Sequence, residues 1–173
     1  MLRRRIHYEA AFADYLRGRG VPFVPIDETR RTVITDNRVK SFDFLVYPRS
    51  SPHWIVDVKG RQFPYTTARG NKRYWENWVT REDLEGLGEW QEVFGSEFES
   101  RFVFTYHLQG APERWPAGEL HAYRGECYAF YGVSLADYER HCRPRSGSWQ
   151  TLSVSARVFR RIASPIRDLA AGP

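Results

Sequence analysis

Two short runs constrain this chain more than anything else in it: Phe42-Asp43-Phe44-Leu45-Val46-Tyr47 and Trp54-Ile55-Val56-Asp57-Val58-Lys59-Gly60. Aromatic and β-branched residues suit a pleated, half-buried surface, so both runs read as strands, and Pro48-Arg49-Ser50-Ser51-Pro52 between them reads as a loop. An antiparallel hairpin is expected. Side chains alternate along a strand, which puts Ile55, Asp57 and Lys59 on one face and Trp54, Val56 and Val58 on the other. The wholly apolar face is expected to meet the core, leaving Asp57 and Lys59 to project together with Asp43 of the neighbouring strand near them.

Charges in so apolar a neighbourhood are costly unless they are paired or bound to a metal. Two explanations stand side by side. Asp57 and Lys59 could form an exposed cross-strand charge cluster on the solvent face of the sheet. Alternatively, two carboxylates bind a hard divalent cation through oxygen, while a nearby lysine orients the attacking water and offsets the charge of a transition state. Lysine is rare here, with Lys40, Lys59 and Lys72 against 23 arginines, so its use at position 59 is not the habit of the chain. A lysine in a desolvated pocket can surrender its proton, whereas an arginine keeps its charge.

Asp43, a spacer, and then Asp57-Val58-Lys59 resemble the core motif of the PD-(D/E)xK nuclease superfamily, with Phe42 where the name-giving proline would stand. The likeness covers about the first 110 residues and is strongest to the archaeal-type Holliday junction resolvase-like nucleases. It implies an α/β fold with a restriction-endonuclease-like αβββαβ core, a mixed central sheet flanked by helices, and a C-terminal α+β extension. It also implies magnesium or manganese as the cofactor, held by Asp43 and Asp57, with the Val58 carbonyl as a further ligand. By the same likeness Glu9 on the first helix reaches the metal, directly or through water, and Gln91 supports the site from the helix after the lysine strand. Branched DNA would be the substrate and a homodimer the working form.

The remaining chain agrees with that order of elements. Residues 7–19 place Tyr8, Ala11, Phe12, Tyr15 and Leu16 at helical spacing, with Glu9 beside the stripe and Gly18 and Gly20 ending it. A first-turn acid favoured by the helix dipole is the simpler account of Glu9. Residues 21–26 read as an edge or irregular strand because of Pro22 and Pro25, and 32–35 as a short strand. Residues 61–80 read as a long loop in which Trp75 and Trp78 cover the core and basic residues contact phosphate. Thr80 and Asp83 resemble a capping box opening a helix that Gly95 closes near Phe94. On that helix Leu84, Leu87, Gln91 and Phe94 form the buried stripe, and an amide there wants a partner. Residues 101–107 read as the next strand, 119–133 as a hairpin through Arg124-Gly125-Glu126, 134–142 as a capped helix, 149–154 as a strand and 156–163 as a basic helix. The domain expectation is a nuclease-like core over 1–110, an extension packed on it over 111–163, and a loose tail over 164–173.

Charge narrows the partner. The net charge is +5, and residues 1–80 carry 15 Lys and Arg against 8 Asp and Glu, while 81–173 carry 11 against 13. The basic half is the half with the motif, which suits the phosphate backbone of nucleic acid; that the nucleic acid is DNA more than RNA is what the resemblance implies. Arg30, Arg31, Arg38, Lys40, Arg61, Arg69, Lys72 and Arg73 are the expected nucleic-acid contacts; a solvated basic face is the plainer account. A hydrophobic content of 42% is ordinary for a globular protein. No run is long enough to cross a bilayer, so a soluble, cytoplasmic protein without a membrane partner is expected. Cys127 and Cys142 lack zinc-site spacing; with His121 and His141 nearby in sequence, a mixed metal site competes with buried free thiols. There is no phosphate loop or nucleophile elbow. The expected function is therefore a magnesium-dependent endonuclease acting on DNA. Its rival is a non-catalytic nucleic-acid-binding module using the same fold for its basic face.

Overall fold

The computed structural model describes residues 2–27, 39–50, 52–145 and 150–167. Arg30, Arg31, Arg38 and the strand expected at 32–35 lie outside the described residues. In chain order the core elements are helix α1 (Leu2–Gly18), strands β1 (Phe23–Pro25), β2 (Phe44–Val46) and β3 (His53–Phe63), and the short strands β4 (Tyr65–Thr66), β5 (Lys72–Arg73) and β6 (Val79–Thr80). Helix α2 (Arg81–Phe94) and strand β7 (Phe98–Leu108) follow. Beyond residue 110 come β8 (His121–Tyr123), β9 (Glu126–Ser134), α3 (Leu135–His141), β10 (Arg143–Pro144), β11 (Thr151–Ser153), α4 (Ala156–Ile162) and β12 (Ser164–Pro165).

The main sheet runs β1-β2-β3-β7-β9-β12, with β8 also paired to β9. The expected hairpin is present, β2 lying antiparallel to β3 with Phe44 opposite Val56 and Val46 opposite Trp54. Strands β3 and β7 then run parallel along their whole length, from His53 beside Phe98 to Phe63 beside Leu108. Parallel neighbours need a crossover, and α2 supplies it. The αβββαβ order expected from the sequence is thus realised in a mixed sheet flanked by helices. Residues after 110 add strands to the same sheet, since β9 pairs with β7 from Arg101–Ser134 to His107–Tyr128.

Both faces of β3 are buried, which removes the exposed charge cluster, one of the two explanations of Asp57 and Lys59. On one side Ala11, Phe12, Tyr15 and Leu16 of α1 pack on Trp54, Val56 and Val58. On the other, Leu84, Leu87 and Trp90 of α2 join Ile55, Phe102 and Phe104. Phe12 and Leu16 are fully buried, and each contributes about 1.5–3 kcal/mol by leaving water. A strand covered on both faces is what a parallel neighbour and its crossover helix produce.

The long loop expected at 61–80 is more ordered than its composition suggests. Strand β3 continues to Phe63, β4 and β5 form a small hairpin, and β6 joins β11 and β10 in a three-stranded sheet. Trp75 does cover the core, its ring lying 5.1 Å from Phe63 and 5.5 Å from Tyr106 between centroids. Among the described residues no helix is long and apolar enough to cross a membrane.

Candidate active site

The site forms where β2 stops and β3 runs on. Strand pairing between them ends at Phe44 and Val56, so the backbone edge of β3 beyond Val56 has no strand to pair with on that side. Asp43, one residue before β2, fills the gap: its main-chain N–H donates to the Val56 carbonyl at 2.8 Å, and its carboxylate accepts from the Val58 N–H at 2.7 Å. The N–H and C=O of one strand residue point to the same edge. The Val58 carbonyl therefore opens on the side where the Asp43 carboxylate lies.

Asp57 and Lys59 project from β3 onto the α2 face. The Lys59 ammonium donates to Asp57 Oδ2 at 2.8 Å and to Asp83 Oδ1 at 2.9 Å. All four polar residues are nearly shut from solvent: Asp43 is 8% exposed, Asp57 3%, Lys59 6% and Asp83 3%. Burial, then the charges of Asp57 and Glu9, holds the Asp43 carboxyl well above the usual carboxylate range, although the Val58 N–H and Lys59 act the other way. Glu9 is thus close enough for its charge to be felt at Asp43. Its helix is set by two contacts of the preceding residues. The Tyr8 ring lies against Gly60, where a Cβ would fall 2.1 Å from a ring carbon, and the His7 ring meets the Tyr128 hydroxyl at 3.0 Å. Only glycine permits that approach of α1 to β3.

Asp83 is the residue that sequence reading missed as part of the site. It was legible as the N3 residue of a capping box, and the box is there: Thr80 Oγ1 accepts from the Asp83 N–H at 3.1 Å while Asp83 Oδ2 accepts from the Thr80 N–H at 2.7 Å. The second oxygen takes Lys59 and also Lys40. These two ammonium groups and the Thr80 N–H outweigh burial and hold the Asp83 carboxyl well below its ordinary range. The signal was available, because Asp83, Leu87 and Trp90 fall at i, i+4 and i+7, which puts an acid on the buried stripe.

The structure does not bring Gln91 to the carboxylates. Its Nε2 donates to the carbonyls of Gly95 and Phe98, at 3.1 and 2.7 Å, and its Oε1 accepts from the Ser100 N–H at 2.6 Å. The partner that a buried amide wants is the turn between α2 and β7, so Gln91 closes that turn. Arg61 also departs from its expected place against phosphate. It continues the Asp57–Lys59 row, its guanidinium lies 4.1 Å over the Trp78 ring, and it donates to the carbonyls of Gly60 and Trp78. Burial pushes its pKa down. Lys40 is turned to Asp83, with its side chain 30% exposed. Arg69, Lys72 and Arg73 are exposed on and around the β4–β5 hairpin, where phosphate can reach them.

The carboxyl groups suit a hard cation of magnesium type. A buried carboxyl raised by two like-charged neighbours is relieved by a nearby positive ion, and Asp43, Asp57, Glu9 and the Val58 carbonyl offer only oxygen. Among the described residues no three His, Cys, Asp or Glu side chains enclose an ion by themselves. The mixed Cys/His site does not form: His121 pairs with Asp14 at 2.9 Å, His141 bonds the Asp137 carbonyl at 2.8 Å, and both thiols are free.

No protein-family model matches the chain, and no curated protein does. Among solved structures, Archaeoglobus fulgidus Hjc, a Holliday junction resolvase from an archaeal hyperthermophile, matches with a TM-score of 0.55 over 95% of this chain and 98% of that one. The chain has the fold of Hjc. At 13% sequence identity, the likeness speaks for architecture alone. Covering 95% of the chain, it also runs well past residue 110, farther than the sequence motif suggested.

Proposed function

We propose that this chain is a divalent-metal-dependent endonuclease that cuts DNA, branched or junction DNA included, in the cytoplasm and as a homodimer. The observation that carries the reading is the buried set of Asp43, Asp57 and Lys59, with Lys59 donating to Asp57 at 2.8 Å and the Asp43 carboxyl raised by burial first and then by the charges of Asp57 and Glu9. Charges so placed weaken a fold, and catalysis is the common reason to keep them. The Hjc-like fold and the basic N-terminal half support the same reading.

In this proposal Asp43 and Asp57 would hold the ion, joined by the Val58 carbonyl and by Glu9 directly or through water. The ion would polarise the scissile phosphate and offset charge on the leaving oxygen. Lys59 donates to the attacking water or to a non-bridging oxygen, and its direction is fixed from two sides by Asp57 and Asp83. Asp83 is then a positioning residue. Arg69, Lys72 and Arg73 take backbone phosphates.

Nicking of supercoiled plasmid and of a synthetic four-way junction tests this, with magnesium, with manganese and with chelator. Wild type is expected to cut with either metal, and Asp57→Ala to bind without cutting. Binding by both proteins with cleavage by neither would replace the enzyme with a DNA-binding module.

A further inference from the structure

Past Lys59 and Arg61 the same face of β3 ends at Phe63, which lines a groove of about 750 Å³ that the carboxylate site does not use. Phe63, Tyr74, Trp75 and Trp115 give it an aromatic floor, and Arg114 and Arg160 stand exposed at its rim. None of the described residues lining it is acidic.

The floor is held in place before any ligand arrives. Trp115 Nε1 donates to the Gln109 carbonyl at 3.0 Å, which fixes that indole. Trp75 adopts a left-handed backbone, φ 60°, which is costly for a bulky side chain and persists where the surroundings impose it. Its ring is wedged edge-on against Phe63 and Tyr106. The Tyr74 hydroxyl is buried and has no hydrogen-bond partner among the described residues, a polar demand that protein interiors rarely leave unmet.

We propose that this groove binds the unpaired bases of a DNA single strand, with Tyr74 and Trp115 as stacking surfaces and Arg114 and Arg160 on the adjoining phosphates. Every base has a π-face, so aromatic floors take single strands with little regard to sequence, and guanidinium groups track the backbone beside them. A proline-rich peptide also favours aromatic grooves, but one carrying basic residues would meet two like charges here and no carboxylate. The site lies six residues along β3 from Asp57, or about 20 Å at roughly 3.3 Å per residue. That is about six steps of duplex at roughly 3.4 Å each. For the role of the groove in cleavage, capturing an unpaired arm at that distance from the cut, the inference rests on the nuclease reading. The binding itself does not.

The test uses the full chain in chelator, so that nothing is cut, with a labelled oligothymidylate of about 16 nucleotides, the upper end of the site sizes known for single strands, and a blunt duplex of equal length. Fluorescence anisotropy is followed against salt. Wild type is expected to bind the single strand. Trp115→Leu should weaken that binding roughly 5- to 150-fold, as loss of a stacked base does. The double variant Arg114→Gln/Arg160→Gln changes only exposed side chains. It should lower the slope of log affinity against log salt by about 1.4, or about 0.7 for each phosphate contact. Single-strand affinity and salt slope unchanged in both variants would overturn the proposal. So would Trp115-dependent capture of a proline-rich peptide by a protein that ignores the oligonucleotide. Plasmid nicking is scored separately: intact nicking beside variant-insensitive single-strand binding removes this inference alone, and absent nicking beside variant-sensitive binding removes the nuclease reading alone.

Discussion

Replacing Asp83 by asparagine isolates what one carboxylate does for both the helix and the lysine. The substituted amide can still accept the Thr80 N–H, so the cap survives in part, while the edge that met Lys59 at 2.9 Å becomes neutral or presents an N–H to an ammonium. Lys59 keeps Asp57 at 2.8 Å, so the loss is not that of an uncompensated charge but of one buried charge-assisted hydrogen bond, about 1.5–3 kcal/mol. Lys40 adds little to this, being 30% exposed and screened by solvent. For a chain of this size each kcal/mol moves the melting temperature by roughly 2–4 °C, so Asp83→Asn should melt between about 3 and 12 °C below wild type at pH 7. Thr80→Ala removes the reciprocal cap and leaves the ion pair, at a cost of about 1 kcal/mol. The pH dependence has a definite sign. A carboxyl depressed in the folded state contributes stability above its unfolded value of about 3.9, and that contribution is lost as pH falls toward the folded value. Thermal melts of the three proteins between pH 2 and 8 should therefore show the gap between Asp83→Asn and wild type closing below about pH 4. An Asp83→Asn protein that melts within 2 °C of wild type at neutral pH would refute the charge-pair account, since that is less than ~1 kcal/mol.

Asp43→Asn should move the other way, raising stability at pH 7 while abolishing metal-dependent nicking. Its folded carboxyl is raised, so the native state keeps a proton that the unfolded chain releases, and wild type loses ground to the variant as pH climbs above about 4. Added magnesium should then raise the wild-type melting temperature and leave the variant unmoved. A variant less stable than wild type at pH 7 contradicts the account. Gly60→Ala would drive a methyl into the Tyr8 ring, displacing α1 and Glu9. It should cost about 1–3 kcal/mol and slow nicking per folded molecule, as followed by urea melts and initial rates. Gln91→Ala should cost a similar ~1–3 kcal/mol, through the unpaired backbone groups of Gly95, Phe98 and Ser100. Its nicking rate per folded molecule should match wild type, and a rate collapse without a stability loss would return Gln91 to the active site.

Strand and helix types were legible because they rest on local periodicity and composition. The two-residue alternation from Trp54 to Lys59, the Tyr8 to Leu16 stripe and the Thr80–Asp83 cap each declare an element without reference to anything distant. The antiparallel pairing of β2 with β3 followed from a short loop, and the order of elements up to β7 followed from the motif. The partners of Gln91 and Arg61 were not legible, for one reason. Spacing shows that a polar group is buried, while its partner is set by whatever the fold brings alongside, here the α2–β7 turn and the Trp78 ring.

The sequence by itself determined that Asp57 and Lys59 share a face of one strand and that an acid opens the following helix, since backbone geometry dictates both. Only the tertiary structure decided that the parallel step from β3 to β7 lays α2 over that face. That step buries the charges and makes a capping aspartate the lysine's second partner. Contacts between elements depend on crossing and register, which no local pattern carries.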